Sequence, residues 1–135
     1  VLSAEVRKRR GPDVSGFLAQ QDRVTKSVDA FLSEMEGCGL RTAVWGAGHA
    51  ALADLSLLGM AGRIDVVLDS ADFKQNKLTP ATHISIVAPS VLREGKIGAV
   101  LVMAGSYSSE IVRLLEEQYP QIVRAVLEHD GVRRA

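Results

Sequence analysis

Val24, Val28, Phe31, Leu32 and Met35 recur at steps of three and four, separated by charged and small polar residues. One side of a 3.6-residue helix collects all five, which predicts a helix over residues 17–37 with a single apolar stripe. Gly37 and Gly39 supply its stop. Beyond them the pattern changes character. Thr42-Ala43-Val44-Trp45 and runs rich in Val, Ile and Leu at 64–68, 84–87, 97–103 and 122–127 read as short strands. Between them, 50–60 and 108–118 read as helices, the second with Ile111, Leu114 and Leu115 facing inward, and Ala88-Pro89-Ser90 opens a short helical turn.

Nearly continuous apolar strands interleaved with amphipathic helices signal a parallel sheet covered on both faces. The expected fold is α/β: a Rossmann-like three-layer sandwich with a mainly parallel sheet of about five strands, preceded by an N-terminal helix. Residues 1–16 hold Arg7-Lys8-Arg9-Arg10, Gly11-Pro12 and Ser15-Gly16, and are expected to be a leader or linker; the domain proper is expected at 17–135. The basic run can bind phosphates or stand as a solvated segment.

Composition narrows the function classes. The chain has 135 residues, enough for one domain, with 47% hydrophobic and 24% charged residues, a globular balance. Sixteen basic residues against sixteen acidic ones leave a formal net charge of zero. That removes any bulk electrostatic pull toward nucleic acid or an anionic membrane. No apolar run approaches the roughly 20 residues of a membrane span. The sequence starts without Met and shows no signal-peptide core, so a cytoplasmic setting is expected. The single cysteine, Cys38, excludes an internal disulfide, and His49, His83 and His129 lack a metal-ligand spacing.

The strongest local motif follows the first strand. Val44-Trp45-Gly46-Ala47-Gly48-His49-Ala50-Ala51 fits G-x-G-x-x-A: Gly46 for a tight turn, Gly48 for close backbone approach, and Ala51 for close packing of helix on sheet. Asp69 closes the second strand 23 residues after Gly46, where an acidic side chain would hold ribose hydroxyls. His49 stands at the helix entrance as a hydrogen-bond donor or acid–base group, or simply as a surface histidine. The long polar loop 69–83 lies beyond a strand's carboxyl end, where open α/β sheets take ligands. Its Lys74, Lys77 and His83 suit an anion. Ser106 and Tyr107 follow the fourth predicted strand, with Ser106 or Ser108 as candidate helix caps and Glu110 suited to the positive helix end. Neither G-x-S-x-G nor G-x-x-x-x-G-K-[ST] occurs, so a serine hydrolase and a P-loop nucleotidase are not supported, and no Tyr-x-x-x-Lys pair supports hydride transfer.

Several of these strings occur together in a known order: Val44-Trp45-Gly46-Ala47-Gly48, Ile64-Asp65-Val66-Val67-Leu68-Asp69, Phe73 to Ile84, and Ser106-Tyr107-Ser108-Ser109-Glu110-Ile111. On them the chain resembles, over residues 17–118, the C-terminal domain of the sugar C-methyltransferases, which branch deoxysugars with S-adenosylmethionine. The K-Q-x-K-x-x-P-x-x-H-I string from Lys74 to Ile84 is the most specific part. The resemblance implies a Rossmann-like module that follows a separate methyltransferase domain, in cis or in trans. That other domain binds S-adenosylmethionine and supplies the catalytic bases, while this module helps enclose a nucleotide sugar. By the resemblance this chain is a detached or excised accessory domain, or a relative that works alone. It departs from the family at Ala50-Ala51-Leu52, where Lys-Gly-Asn is common, at His49, and over residues 119–135. The Lys74–His83 loop is therefore the better-supported site. Gly46–Ala50 is also similar to the nucleotide-sugar-binding half of bacterial sugar acetyltransferases, over that turn and helix only.

Three readings follow. The first is an accessory nucleotide-sugar-binding domain of a C-methyltransferase. The second is a stand-alone nucleotide or nucleotide-sugar module using Gly46, Gly48 and Asp69. The third is a structural or interaction domain, as a homo-oligomer or with another domain, docking through the stripe Val24–Met35.

Overall fold

The computed structural model describes the backbone of residues 4–135 and the side chains from Ser15 onward. A long helix α1 (Ala4–Gly37) leads into β1 (Thr42–Trp45), α2 (His49–Leu57), β2 (Val67–Leu68), β3 (Lys77–Leu78), β4 (Ser85–Val87), β5 (Ala99–Val102), α3 (Ser108–Gln118), β6 (Val123–Glu128) and β7 (Gly131–Arg134). Short 3-10 turns lie at Asp72–Lys74, Pro89–Glu94 and Gly105–Tyr107.

All seven strands form one sheet in the order β3-β4-β2-β1-β5-β6-β7. The five expected strands are its parallel centre, β4-β2-β1-β5-β6. Two antiparallel edges were not expected: β3 on β4, and β7 folded back on β6. β2 is shorter than its predicted run because ladder bonding thins out before Val67, although Asp65 N–H still donates to the Thr42 carbonyl at 2.9 Å. Chain order reverses at β1. The connection through β2 runs to one side and that through β5 to the other, and this places a crevice at the carboxyl ends of β1 and β5.

Side chains alternate across the sheet into two cores. Val44 of β1 and Ala99, Leu101 and Met103 along β5 face α1 and α2. Ala43 and Trp45, with Val100 and Val102, face α3. The Val28, Phe31, Leu32 and Met35 stripe lies in the first core, at 0–5% exposure. From Val28 to Met35 the stripe is therefore used within the fold, and Val24 is partly buried against the same core. Burial of four such side chains contributes several kcal/mol.

The expected start of the first helix moves. α1 begins at Ala4 and continues through Gly11-Pro12, so residues 4–16, expected as a leader or linker ahead of the helix, are helical. A proline removes one intrahelical bond without ending a helix that is supported on both sides. The side chains of Arg7–Arg10 lie outside the described residues. Ser27 Oγ accepts the Val132 N–H at 2.8 Å and Gln20 Nε2 donates to the His129 carbonyl at 2.8 Å. Gln20 is thus level with the β6–β7 turn, at the sheet's carboxyl edge. The part of α1 before it continues for about 24 Å at 1.5 Å per residue.

Candidate functional site

The crevice at the carboxyl edge is built by the loops after β1, β2, β4 and β5. At the first, Gly46 has φ 134°, a conformation that side-chain-bearing residues rarely adopt. A Cβ there would lie 2.4 Å from the Met103 carbonyl oxygen. Gly46 thus lets the β1 turn close against the end of β5, whatever is bound. Gly48 differs: it caps α2 with φ −74°, no side-chain cap, and open space where a Cβ would stand. His49 is exposed beside it.

Asp69 is tied to this turn. Its Oδ2 accepts the Ala47 N–H at 3.0 Å and its Oδ1 the Ala71 N–H at 2.8 Å. Lys74 Nζ donates to the Ala47 carbonyl at 3.2 Å and lies 3.8 Å from Asp69 Oδ2. Gln75 Nε2 donates to the Asp69 carbonyl at 2.8 Å. The structure therefore gathers Gly46, Asp69 and Lys74 into one latch between the β1 turn and the β2 loop. Side chains that sequence alone offers to a ribose and a phosphate hold the protein's own backbone.

The rest of the 69–83 loop is shaped as tightly. Asn76, Ala81 and His83 have φ of 64°, 62° and 54°. Such residues cost about 1–2 kcal/mol each in the left-handed region. Buried Thr79 holds the turn: its Oγ1 accepts the Ile84 N–H at 2.8 Å and shares a hydrogen bond with Thr82 Oγ1. Lys77 on β3 and His83 are exposed at this sheet edge, and no hydrogen bond joins either side chain to the latch. The Lys74–Ile84 string is thus specific because it builds a strained loop; within it Lys77 and His83 remain open to solvent.

On the opposite side of the switch point, Gly105, Ser106 and Tyr107 form a 3-10 turn, and Tyr107 is 66% exposed. Neither serine caps α3. Ser108 Oγ instead accepts the Ala104 N–H at 3.2 Å and is buried.

Sequence reasoning missed a trough. The β4–β5 crossover carries only the 3-10 turn Pro89–Glu94 where a full helix would cover the sheet. A cavity of about 390 Å³ is left between it and α3, lined among others by Trp45, Ser70, Ser90, Arg93, Tyr107 and Glu110. The available signal was the span between β4 and β5, interrupted by Pro89 and Gly95 and too short for a covering helix. A second groove of about 460 Å³ runs between α1 and α2, lined by Phe17, Val24, Leu57 and Asp54 among others. Burial there raises the Asp54 carboxyl above the ordinary aspartate range.

Among the described residues no helix is long and apolar enough to cross a membrane, and no group of three or more His, Cys, Asp or Glu is placed to hold a metal. A crystal structure of UDP-D-quinovosamine 4-dehydrogenase from Vibrio fischeri is similar to 71% of this chain and 93% of its own, with a TM-score of 0.53 and 15% identity. That likeness bears on the fold, which it shares. No curated protein matches. The family model for the C-methyltransferase C-terminal domain matches residues 7–127, further in both directions than the quoted strings reach. With that match spanning nearly the whole chain, the protein belongs to the C-methyltransferase C-terminal domain family.

Proposed function

We propose that this chain is the accessory, substrate-enclosing domain of a sugar-nucleotide C-methyltransferase. It is catalytically silent alone and presents its carboxyl edge to a nucleotide sugar held against a separate methyltransferase domain. The family match over residues 7–127 carries the reading. The crevice supports it, since open α/β sheets take ligands beyond the carboxyl ends of their strands, at the point where strand order reverses.

S-adenosylmethionine belongs, in this reading, to the separate domain. The residues of the glycine turn do not fit it. The Asp69 carboxylate, the natural partner of ribose hydroxyls, accepts N–H groups of Ala47 and Ala71, and the Lys74 ammonium stands beside it, unfavourable to a sulfonium. The same contacts weigh against a self-sufficient nucleotide module at Gly46–Gly48. The domain's own contribution is to bind, orient and shield the substrate, so that the reacting sugar stays away from bulk water.

Isothermal titration calorimetry on this chain tests the reading, with UDP- and dTDP-linked hexoses and with S-adenosylmethionine. Nucleotide-sugar binding without cofactor binding is expected. Tight S-adenosylmethionine binding by the chain alone would overturn the assignment of the cofactor to another domain.

A further inference from the structure

The groove of about 460 Å³ between α1 and α2 is lined by apolar side chains, Val24, Leu57, Leu58 and Met103 among them. Its rim is apolar too. Phe17 on α1 and Leu57 on α2 are 67% and 63% exposed, and Leu18 beside Phe17 is 57% exposed. A small ligand would cover the lining and leave these rim side chains in water, so the occupant they suit is a protein surface. Within the groove Asp54 is half-buried and, among the described residues, joined to no cation in an ion pair. A matching surface therefore carries a cation next to large apolar side chains.

α1 itself carries that combination. Phe17, Gln21, Val24, Val28, Phe31 and Met35 follow one another at alternating steps of four and three, the spacing of a helix–helix seam. Val28, Phe31 and Met35 spend the seam on the protein's own core, at 0%, 5% and 1% exposure. The stretch from Phe17 to Val24 is not covered in this way, and Val24 is only partly buried. Arg23 is exposed there and, among the described residues, in no ion pair. Gln21 ends in an amide that both donates and accepts, so it can pair with its own copy across a two-fold axis. Apolar knob, groove, cation and carboxylate thus lie on one surface, as a self-complementary contact requires. We infer that two copies of this chain pair through it. The Phe17–Val24 stretch of each α1 lies antiparallel in the α1–α2 groove of the other, with Phe17 and Leu18 against Leu57 and Leu58, and Arg23 against Asp54. This pairing uses the α1–α2 side of the sheet and does not depend on the proposed function.

Sedimentation velocity of the full chain over roughly 1–100 μM is expected to show a reversible monomer–dimer equilibrium. Phe17→Glu and Leu57→Lys should each weaken dimerisation by about tenfold or more. Both side chains are exposed, so circular dichroism should report an unchanged fold. Phe73→Glu, equally exposed but away from the groove, should leave the dimer as it is. Arg23→Asp should weaken association by about fivefold, and adding Asp54→Lys to it should restore part of the loss. A monomer at every concentration, which would leave the groove to a different protein, would overturn the pairing. So would a dimer indifferent to both Phe17→Glu and Leu57→Lys, since its contact would lie elsewhere. A charge swap that associates more weakly than Arg23→Asp alone would overturn the antiparallel arrangement.

Discussion

At the scale of single residues, the two glycines of one motif have different physical duties. Gly46 is required by packing, since any Cβ meets the Met103 carbonyl at 2.4 Å and the backbone has φ 134°. Gly46→Ala should cost about 2 kcal/mol or more in denaturant unfolding, whereas Gly48→Ala should stay within about 0.5 kcal/mol. Removing the Asp69 carboxylate leaves the Ala47 and Ala71 N–H groups without their acceptor, so Asp69→Ala is expected to lose about 1–3 kcal/mol. Asp54 gives a pH signature. Its folded pKa is raised by burial, so the folded state holds the proton more tightly than the unfolded chain does. The charged form is therefore a cost, fully present above the raised folded value and absent below the unfolded value of 3.8. Asp54→Asn should be the more stable protein at neutral pH, with the gap in melting temperature closing as the pH falls toward 4 and below. An equal gap at pH 3 and pH 7 would refute this.

Elements are held in register by a few polar contacts around the cores. Arg63, in the loop after α2, donates to Asp29 at 2.7 Å, Glu36 at 2.6 Å and Ser33 at 3.1 Å, all on α1. The hydrogen bond to Glu36, and after it that to Asp29, raise the guanidinium pKa further. Because the carboxylates are exposed, the network should be worth only about 1 kcal/mol and weaken with salt. A double-mutant cycle between Arg63→Ala and Asp29→Ala, repeated at high ionic strength, measures it. On the other flank, Arg134 of β7 pairs with Glu34 and lies 5.4 Å from the Phe31 ring centre. α1 is thereby fixed to the sheet edge as well as to its face.

Across the whole molecule, the legible parts were those whose environment repeats. Strands buried on both faces are apolar at most positions, so the five parallel strands could be read from their apolar runs, Ala43, Val44 and Trp45 of β1 among them. β3 and β7 could not, because Lys77, Leu78, Arg133 and Arg134 are exposed edge residues specified by their partners. The glycine turn was legible as a turn. Its latch was not, since Lys74 and Gln75 address backbone carbonyls, which carry no sequence signal. The trough was the hardest feature to foresee because a missing helix creates it. The same layout predicts a gradient of local stability. In native-state hydrogen exchange, the amides of central β1 and β5 should be slowest and those of edge β3 among the fastest.

The unbroken helical course of α1 ahead of Gln20 bears on how the domain can be carried. A flexible leash leaves an attached body free to search, but a continuous helix works as an indexed shaft. Each residue inserted into or deleted from that stretch would turn whatever it bears by about 100° and move it about 1.5 Å along the axis. The orientation of any neighbour carried there would then depend on helical phase. Insertions in multiples of a full turn would preserve it, and a two-residue insertion would face the neighbour away.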